Sequence, residues 1–400
     1  MNPDRKVVIV TGVRTPFGRM GGGLRTYYPS ELLGFAIREL VSRTGLSERA
    51  KVDGVFAGSA LPDAHTNNVA RFATLYAGLP VETQATFVEM QCGSGIASIN
   101  QAALQILNED IDIAIAGGAE SYSQLPCKFS MSVEPYKLIA PHAVPQLLAP
   151  EKDDQLTMIE ISDKMAEKWN VSRTECDEFA LRSQERAAAY IASGRVAPFL
   201  FPISTPQKKA DPIVCDHDEQ PRASTMEGLA KLKTVREGGV TTAGNASGRN
   251  DGAAVVLMMS EEKALELGFE PMAWWRGGAV TGVEPKYMGI GPAFSNLKIM
   301  KRFGLSFDDV DVFECNEAFA AQNLSVIREM EDQTGRKIDM EKWNPNGGAI
   351  AFGHPNGASG GRIAMHAMDE LQKTGGRYGI FSSCCGGGLG VSTLIERYEV

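Results

Sequence analysis

The chain has 400 residues, 43% of them hydrophobic and 22% charged, a globular composition that excludes a disordered or collagen-like polymer. Forty Lys+Arg against 49 Asp+Glu leave a net charge of −9, which argues against a nucleic-acid binder with a broad basic face. No apolar stretch approaches a bilayer span, and seven scattered cysteines are too few for a disulfide scaffold, so free thiols in a reducing, cytoplasmic setting are expected.

Met1–Lys6 leads into Val7–Val10, which reads as a strand rather than a secretory core. Gly45-Leu46-Ser47 then precedes a strand-like run, Val52–Phe56. Cys92-Gly93-Ser94-Gly95 opens a helix with apolar residues at Ile96, Ile99, Ala103 and Ile106. A strand at Ile111–Ala116 follows and is expected to end at a glycine pair. From about 121 to 250 the texture changes. Ser172-Arg173-Thr174-Glu175 is a capping box whose helix should run to Gly194, and Pro198–Gly239 holds five prolines and many charges. Ser260 caps a short helix that Gly268 ends. Gly304-Leu305-Ser306 precedes the strand Val310–Phe313, His354–Gly360 opens a helix through Ile363–Leu371, and the strand Tyr378–Ser383 runs toward a glycine triple. The same grammar thus recurs after roughly 260 residues, which predicts a duplicated α/β unit with two halves about a pseudo-two-fold axis. The expected division is 1–120 and 251–275 for the first half, 121–250 for an inserted loop domain, and 276–400 for the second half.

Five segments join glycine to reactive side chains. In Gln91–Gly95, Cys92 is either a thiol activated at a helix start, its pKa lowered by the dipole, or a buried structural cysteine. His354, locked between glycine and proline, suits a general base or an oxyanion donor. Cys384, beside Cys385 and the glycines from Gly386, fits a second acid/base better than a zinc ligand. Asn316-Glu317-Ala318-Phe319 ends a strand, where catalytic groups collect in α/β folds. Ala243–Gly252 reads as tight turns that bring backbone donors to a ligand.

In this order the five motifs resemble the thiolases, over the whole chain from Val13-Arg14-Thr15-Pro16-Phe17-Gly18 to the strand before Glu396. The resemblance implies a five-layer αβαβα fold and acyl transfer through an enzyme thioester. By motif, Cys92 would be the nucleophile, His354 its base, and Cys384 the second acid/base. Asn316 would hold the water of one oxyanion hole, and the N–H groups of Cys92 and Gly386 would form the other. Such donors are the central requirement, because an enolate forms only where its oxygen charge is stabilised as it develops. CoA would meet Ser247 at its pantetheine arm and Arg222 near its nucleotide. Around Arg222, Lys208, Lys209, Lys231, Lys233 and Arg236 are diluted by Asp211, Asp216, Asp218 and Glu219, which equally fits a solvated mixed surface. Met158, Met288 and Phe319 match the acyl pocket or ordinary core packing.

The chain departs from the family pattern at Glu89, where asparagine is usual, and at Asn356, where an aliphatic residue follows Gly-His-Pro. It departs again at Met158–Asp163 and at Cys315, while Cys127–Thr157 is shorter than in tetrameric biosynthetic enzymes. The resemblance favours acetyl-CoA C-acetyltransferase activity (2 acetyl-CoA ⇌ acetoacetyl-CoA + CoA). A degradative 3-ketoacyl-CoA thiolase is the nearest alternative, and a silent CoA-binding subunit of a fatty-acid oxidation complex the non-enzymatic one. CoA and acyl-CoA would be substrates, with no metal or redox cofactor, and the assembly a dimer or a dimer of dimers.

Overall fold

The computed structural model describes residues 4–61, 63–131, 134–207 and 209–399. Val7–Arg14 (β1) is apolar on both faces and nearly all buried, as a strand between two helical layers must be. The first half continues through Pro29–Thr44 (α1), Gly54–Gly58 (β2), Val69–Tyr76 (α2), Gln84–Val88 (β3), Ser94–Leu107 (α3) and Ile113–Ser121 (β4). The insertion contains Met158–Lys168 (α4) and Arg173–Ala192 (α5). The chain returns to the sheet at Asn250–Ser260 (β5), and the second half then runs through Ala273–Gly282 (β6), Gly291–Phe303 (α6), Val310–Cys315 (β7) and Ala320–Thr334 (α7). Asn356–Thr374 (α8), Tyr378–Cys385 (β8) and Leu389–Arg397 (β9) complete it.

The strands form one path, β7-β8-β9-β6-β1-β5-β4-β2-β3, with the two-residue strand Gly18–Arg19 pairing β5. The halves share one order: β2, β4, β5 and β1 correspond to β7, β8, β9 and β6. The place of β3 is taken in the second half by a single parallel bridge, Phe313 to Trp343. The two first strands meet antiparallel at Val7–Trp275, Val8–Trp274 and Ile9–Ala273, as a two-fold axis between equivalent strands requires.

Three apolar cores separate the layers. One lies between the half-sheets around α3 and α8, with Ile96, Ile99, Ile363, Met368 and Phe381. A second packs Leu32, Leu33 and Ile37 of α1 on Val8, Val55 and Leu257. The third packs Ile299 of α6 and Val326 of α7 on Phe313, Ile380 and Leu394. Each buried aliphatic side chain contributes roughly 1.5–3 kcal/mol, so layer order follows from which face of each element is apolar. The result is the expected αβαβα arrangement.

Some expected boundaries move. Gly117 and Gly118 lie inside β4, not at its end: pairing with β5 runs on to Ser121, and glycine is needed at 117 because a Cβ there would stand 2.1 Å from Ala254 O. The expected division at 275/276 falls within β6, which already pairs with β1 from Ala273. The polar stretch after Pro198 carries a small hairpin, Ile203–Thr205 with Ile213–Cys215; Lys208 lies outside the described residues. Ser172 and Glu175 do form the capping box of α5, which ends two residues before Gly194. Residues 122–249 join β4 to β5, and they are anchored to β1 by a buried bidentate pair. Arg14 Nη1 and Nη2 donate to Asp218 Oδ1 and Oδ2 at 2.6 and 2.7 Å.

Candidate active site

The central helices α3 and α8 touch backbone to backbone at their first turns. A Cβ on Gly95 would lie 2.5 Å from Gly357 O, and one on Gly360 would lie 2.4 Å from Ile96 N. Side chains at these positions would force the helix starts apart. Cys92, in the turn before α3, and Asn356, the first residue of α8, therefore face each other, with Asn356 Nδ2 3.5 Å from Cys92 Sγ.

The turn that carries Cys92 is strained. Gln91 has φ +48°, a left-handed conformation that costs a non-glycine residue about 1–2 kcal/mol. Glu89 Oε1 holds it there by accepting from Gln91 N and Nε2, both at 2.8 Å. Ser94 Oγ closes the turn, donating to Gln91 O at 2.6 Å and accepting from Met90 N at 2.9 Å. The departure at Glu89 thus has a local function in the nucleophile's turn.

His354 is buried just before α8. Its Nδ1 is 2.7 Å from Ser359 Oγ, which itself donates to Pro355 O at 3.1 Å. Ser359 must then accept from Nδ1–H, which makes Nε2 the acceptor nitrogen of the ring, the one that can act as a base. Asn316 Nδ2 lies 3.3 Å from that Nε2, and Asn316 Oδ1 is buried with no partner among the described residues. Asn316 is fixed in turn by its N–H to Ser382 O at 2.9 Å, two residues before Cys384. Cys384 is fully buried at the end of β8, close enough to Cys92 that charge on the Cys92 sulfur adds to its resistance to ionising.

The electrostatics overturn one expectation. Burial first, and then the Glu120 carboxylate, push the Cys92 thiol up to about 12 instead of lowering it. Desolvation outweighs the helix terminus here. The backbone N–H groups of Cys92 and Gly386 pull the other way, favouring the ionised sulfur. Burial, with the Arg362 guanidinium, depresses His354 to about 3, and Cys384 is held well above the usual thiol range. At neutral pH the resting site is therefore thiol, neutral imidazole and thiol.

Two residues here escaped the sequence reading. Glu120, at the end of β4, accepts from Ser59 Oγ and Ala60 N at 2.8 Å, and from Leu61 N and Gly357 N at 3.3 and 3.2 Å. Burial raises its carboxyl to about 7. Tyr122 follows, its Oη 3.1 Å from Asn356 Oδ1. Their signal is a polar residue near the end of a glycine-containing strand and another just after it, which a strand ending at Gly117-Gly118 leaves outside the sheet.

The remaining sequence candidates spread outward. Ser247 N donates to Ala318 O at 3.0 Å and Ala246 bridges Phe319, so Ser247 and Phe319 lie side by side at the start of α7. Met288 is buried in the turn Pro285–Ile290, and Met158 begins α4, half-buried against the same core. Arg222 is exposed, with its N–H on Gln184 Oε1 at 3.1 Å and its Nη2 on Ala243 O at 2.6 Å.

Residues 7–262 match the thiolase N-terminal domain, and residues 269–397 match the thiolase C-terminal domain. The chain is 41% identical to the beta-ketoadipyl-CoA thiolase of Acinetobacter baylyi, over 97% of its own length and 98% of that protein. It is 40% identical to the acetyl-CoA acetyltransferase of Chromobacterium violaceum, over 98% and 100%. The crystal structure of the Bacillus anthracis acetyl-CoA acetyltransferase superposes with a TM-score of 0.91 at 38% identity, covering 98% of this chain and 99% of that one. Human mitochondrial 3-ketoacyl-CoA thiolase gives 0.90 at 36% identity, covering 98% and 99%. The chain belongs to the thiolase family, and it is an acyltransferase of that family.

Proposed function

We propose that the protein is an acetyl-CoA C-acetyltransferase, interconverting two acetyl-CoA with acetoacetyl-CoA and CoA. In the cleavage direction Cys92 Sγ attacks the 3-keto carbon while His354 Nε2 takes the thiol proton. The C2–C3 bond breaks, and the electron pair becomes the enolate of acetyl-CoA. Cys384 S–H returns a proton to C2, and the acyl group stays on Cys92 as a thioester. CoA–SH then attacks that thioester, giving its proton to the Cys384 thiolate, and the Cys92 thiolate recovers its proton from His354. Covalent transfer divides the reaction into two easier steps and gives ping-pong kinetics.

The observation that carries this reading is the set of groups around one sulfur. The N–H donors of Cys92 and Gly386 point at it, and the protonated Cys384 stands beside it. Asn316 and His354, whose Nε2 becomes a donor once it has taken the thiol proton, flank the place for the thioester oxygen, and Asn316 Oδ1 is free to take the hydrogen of a water there. Ser247 and Arg222 are the proposed CoA contacts. A short acyl pocket is favoured by Met288, which is 2% exposed within the core, beside Met158 and Phe319. A second reading, cleavage of 3-oxoadipyl-CoA, is favoured by relatives at 40–41% identity that carry beta-ketoadipyl-CoA thiolase names.

CoA-dependent cleavage of acetoacetyl-CoA, longer 3-ketoacyl-CoA esters and 3-oxoadipyl-CoA discriminates between them, with Cys92→Ala as control. Activity confined to the four-carbon ester is expected. A rate rising with chain length, or highest with the dicarboxylic ester, would replace the acetyltransferase reading.

A further inference from the structure

Cys92 must lose its proton in a site that resists negative charge. Glu120 on β4 and Glu89 before the turn both oppose ionisation of its sulfur, and Cys384 and Cys385 on β8 ionise less readily beside it. Tyr122 also faces the sulfur from beyond β4, and the Arg249 guanidinium sits over the Tyr122 ring, 6.0 Å from its centroid. Against the two carboxylates stand the N–H groups of Cys92 and Gly386 and one side chain, Asn356.

We propose that Asn356 is a further catalytic residue, donating its Nδ2–H to the Cys92 sulfur as the thiolate develops, and that Tyr122 is the positioning residue that orients its amide. The proposal rests on Cys92 being the acyl-accepting nucleophile. The geometry is a short relay: Tyr122 Oη to Asn356 Oδ1 is 3.1 Å, and Asn356 Nδ2 to Cys92 Sγ is 3.5 Å. Asn356 is 6% exposed, so its amide has little access to water for satisfying its donors.

Donor and acceptor capacity dictates how the relay works. A thiol can give its S–H to an amide oxygen, with the amide N–H on the tyrosine oxygen. A thiolate can only accept, so the amide must present Nδ2 to sulfur and Oδ1 to the Tyr122 O–H. A carboxamide, with a donor on one arm and an acceptor on the other, can serve both states. The arrangement found, with Nδ2 toward sulfur, suits the ionised one. Asn356 therefore supplies a further donor at the moment His354 takes the proton, against the opposition of Glu120 and Glu89.

The test is the pH–rate profile of Cys92 carbamidomethylation by iodoacetamide, read peptide by peptide on the full-length protein. It is compared for wild type, Asn356→Leu, Asn356→Asp and Tyr122→Phe. Removing a hydrogen bond to a charged sulfur should slow alkylation of Asn356→Leu at fixed pH by roughly tenfold or more. Asn356→Asp, isosteric but an acceptor, should slow it further, and Tyr122→Phe by a few-fold. Superimposable profiles for all four proteins would overturn the proposal, as would Asn356→Asp matching wild type. Should Asn356→Leu fail to fold, Tyr122→Phe and Asn356→Asp decide the same question. Incubation with acetyl-CoA separates the two levels. A wild-type protein that forms no acetyl–Cys92 adduct refutes the nucleophile assignment, and the alkylation profiles still report what Asn356 does to the sulfur.

Discussion

Cys92 sits beside a helix start, yet burial and the Glu120 carboxylate hold its thiol at about 12. His354, depressed to about 3, does not keep a resting imidazolium to pair with it. The nucleophile is thus made only as it attacks, and the donors around the sulfur act on the transition state more than on the free enzyme. The sign of the pH dependence follows. With the thiol pKa far above neutrality, the thiolate fraction climbs with pH throughout the neutral range. Alkylation of Cys92 in the ligand-free protein should keep rising between about pH 6 and 9, approaching tenfold per unit above about pH 8 and less steeply near pH 7, where Glu120, at about 7, gains the charge that opposes the thiolate. A plateau reached by neutral pH would mean a thiolate stabilised at rest, and would contradict this electrostatic account.

At the scale of elements, the site depends on how closely α3 and α8 approach. The Cβ of Gly360→Ala would lie 2.4 Å from Ile96 N, a backbone atom that cannot turn aside. We expect a loss of about 2 kcal/mol or more in urea denaturation, together with slower Cys92 alkylation as the two helix starts separate. Gly45→Ala is the contrast. Gly45 ends α1 with φ +61° and nothing within 4 Å of a built Cβ. That substitution should cost about 1 kcal/mol through backbone strain alone and leave the alkylation profile unchanged. Equal chemical effects from both glycines would remove the helix contact as the reason the site is assembled.

The whole molecule must hold the insertion over the two duplicated halves, and Arg14 and Asp218 do part of that. Asp218→Ala leaves the Arg14 guanidinium buried without its partner, and should destabilise the protein by about 3–5 kcal/mol, measured by denaturant unfolding. A change below about 1 kcal/mol would show that the insertion is held by its apolar contacts. The sheet also ends at β3, whose outer edge has no partner among the described residues, and Val81 and Leu104 are 68% and 57% exposed nearby. An unpaired edge of this kind favours association. Sedimentation at micromolar concentration is therefore expected to give a homodimer or larger, and a monomer would refute it.

The sequence alone determined what periodicity and local chemistry encode. The repeated order of strands and helices, the capping box at Ser172, the N-cap at Ser260, and the family motifs around Cys92, Asn316, His354 and Cys384 were all legible, because each depends on residues within one short segment. Element ends were less so: the strand after Ile111 was stopped at Gly117-Gly118, which only a packed neighbour explains. Ionisation and partnership were decided by the tertiary structure. A helix start alone lowers a thiol pKa and burial alone raises it, and the sequence left both open for Cys92; burial and a carboxylate from another strand decided the sign. Glu89 and Asn356 read as departures in the sequence; in the fold, one clamps the strained turn at Gln91 and the other reaches the Cys92 sulfur from the opposite half. Desolvation and hydrogen bonding depend on which groups long-range packing brings together, and residues 264 apart, such as Cys92 and Asn356, share no local signal.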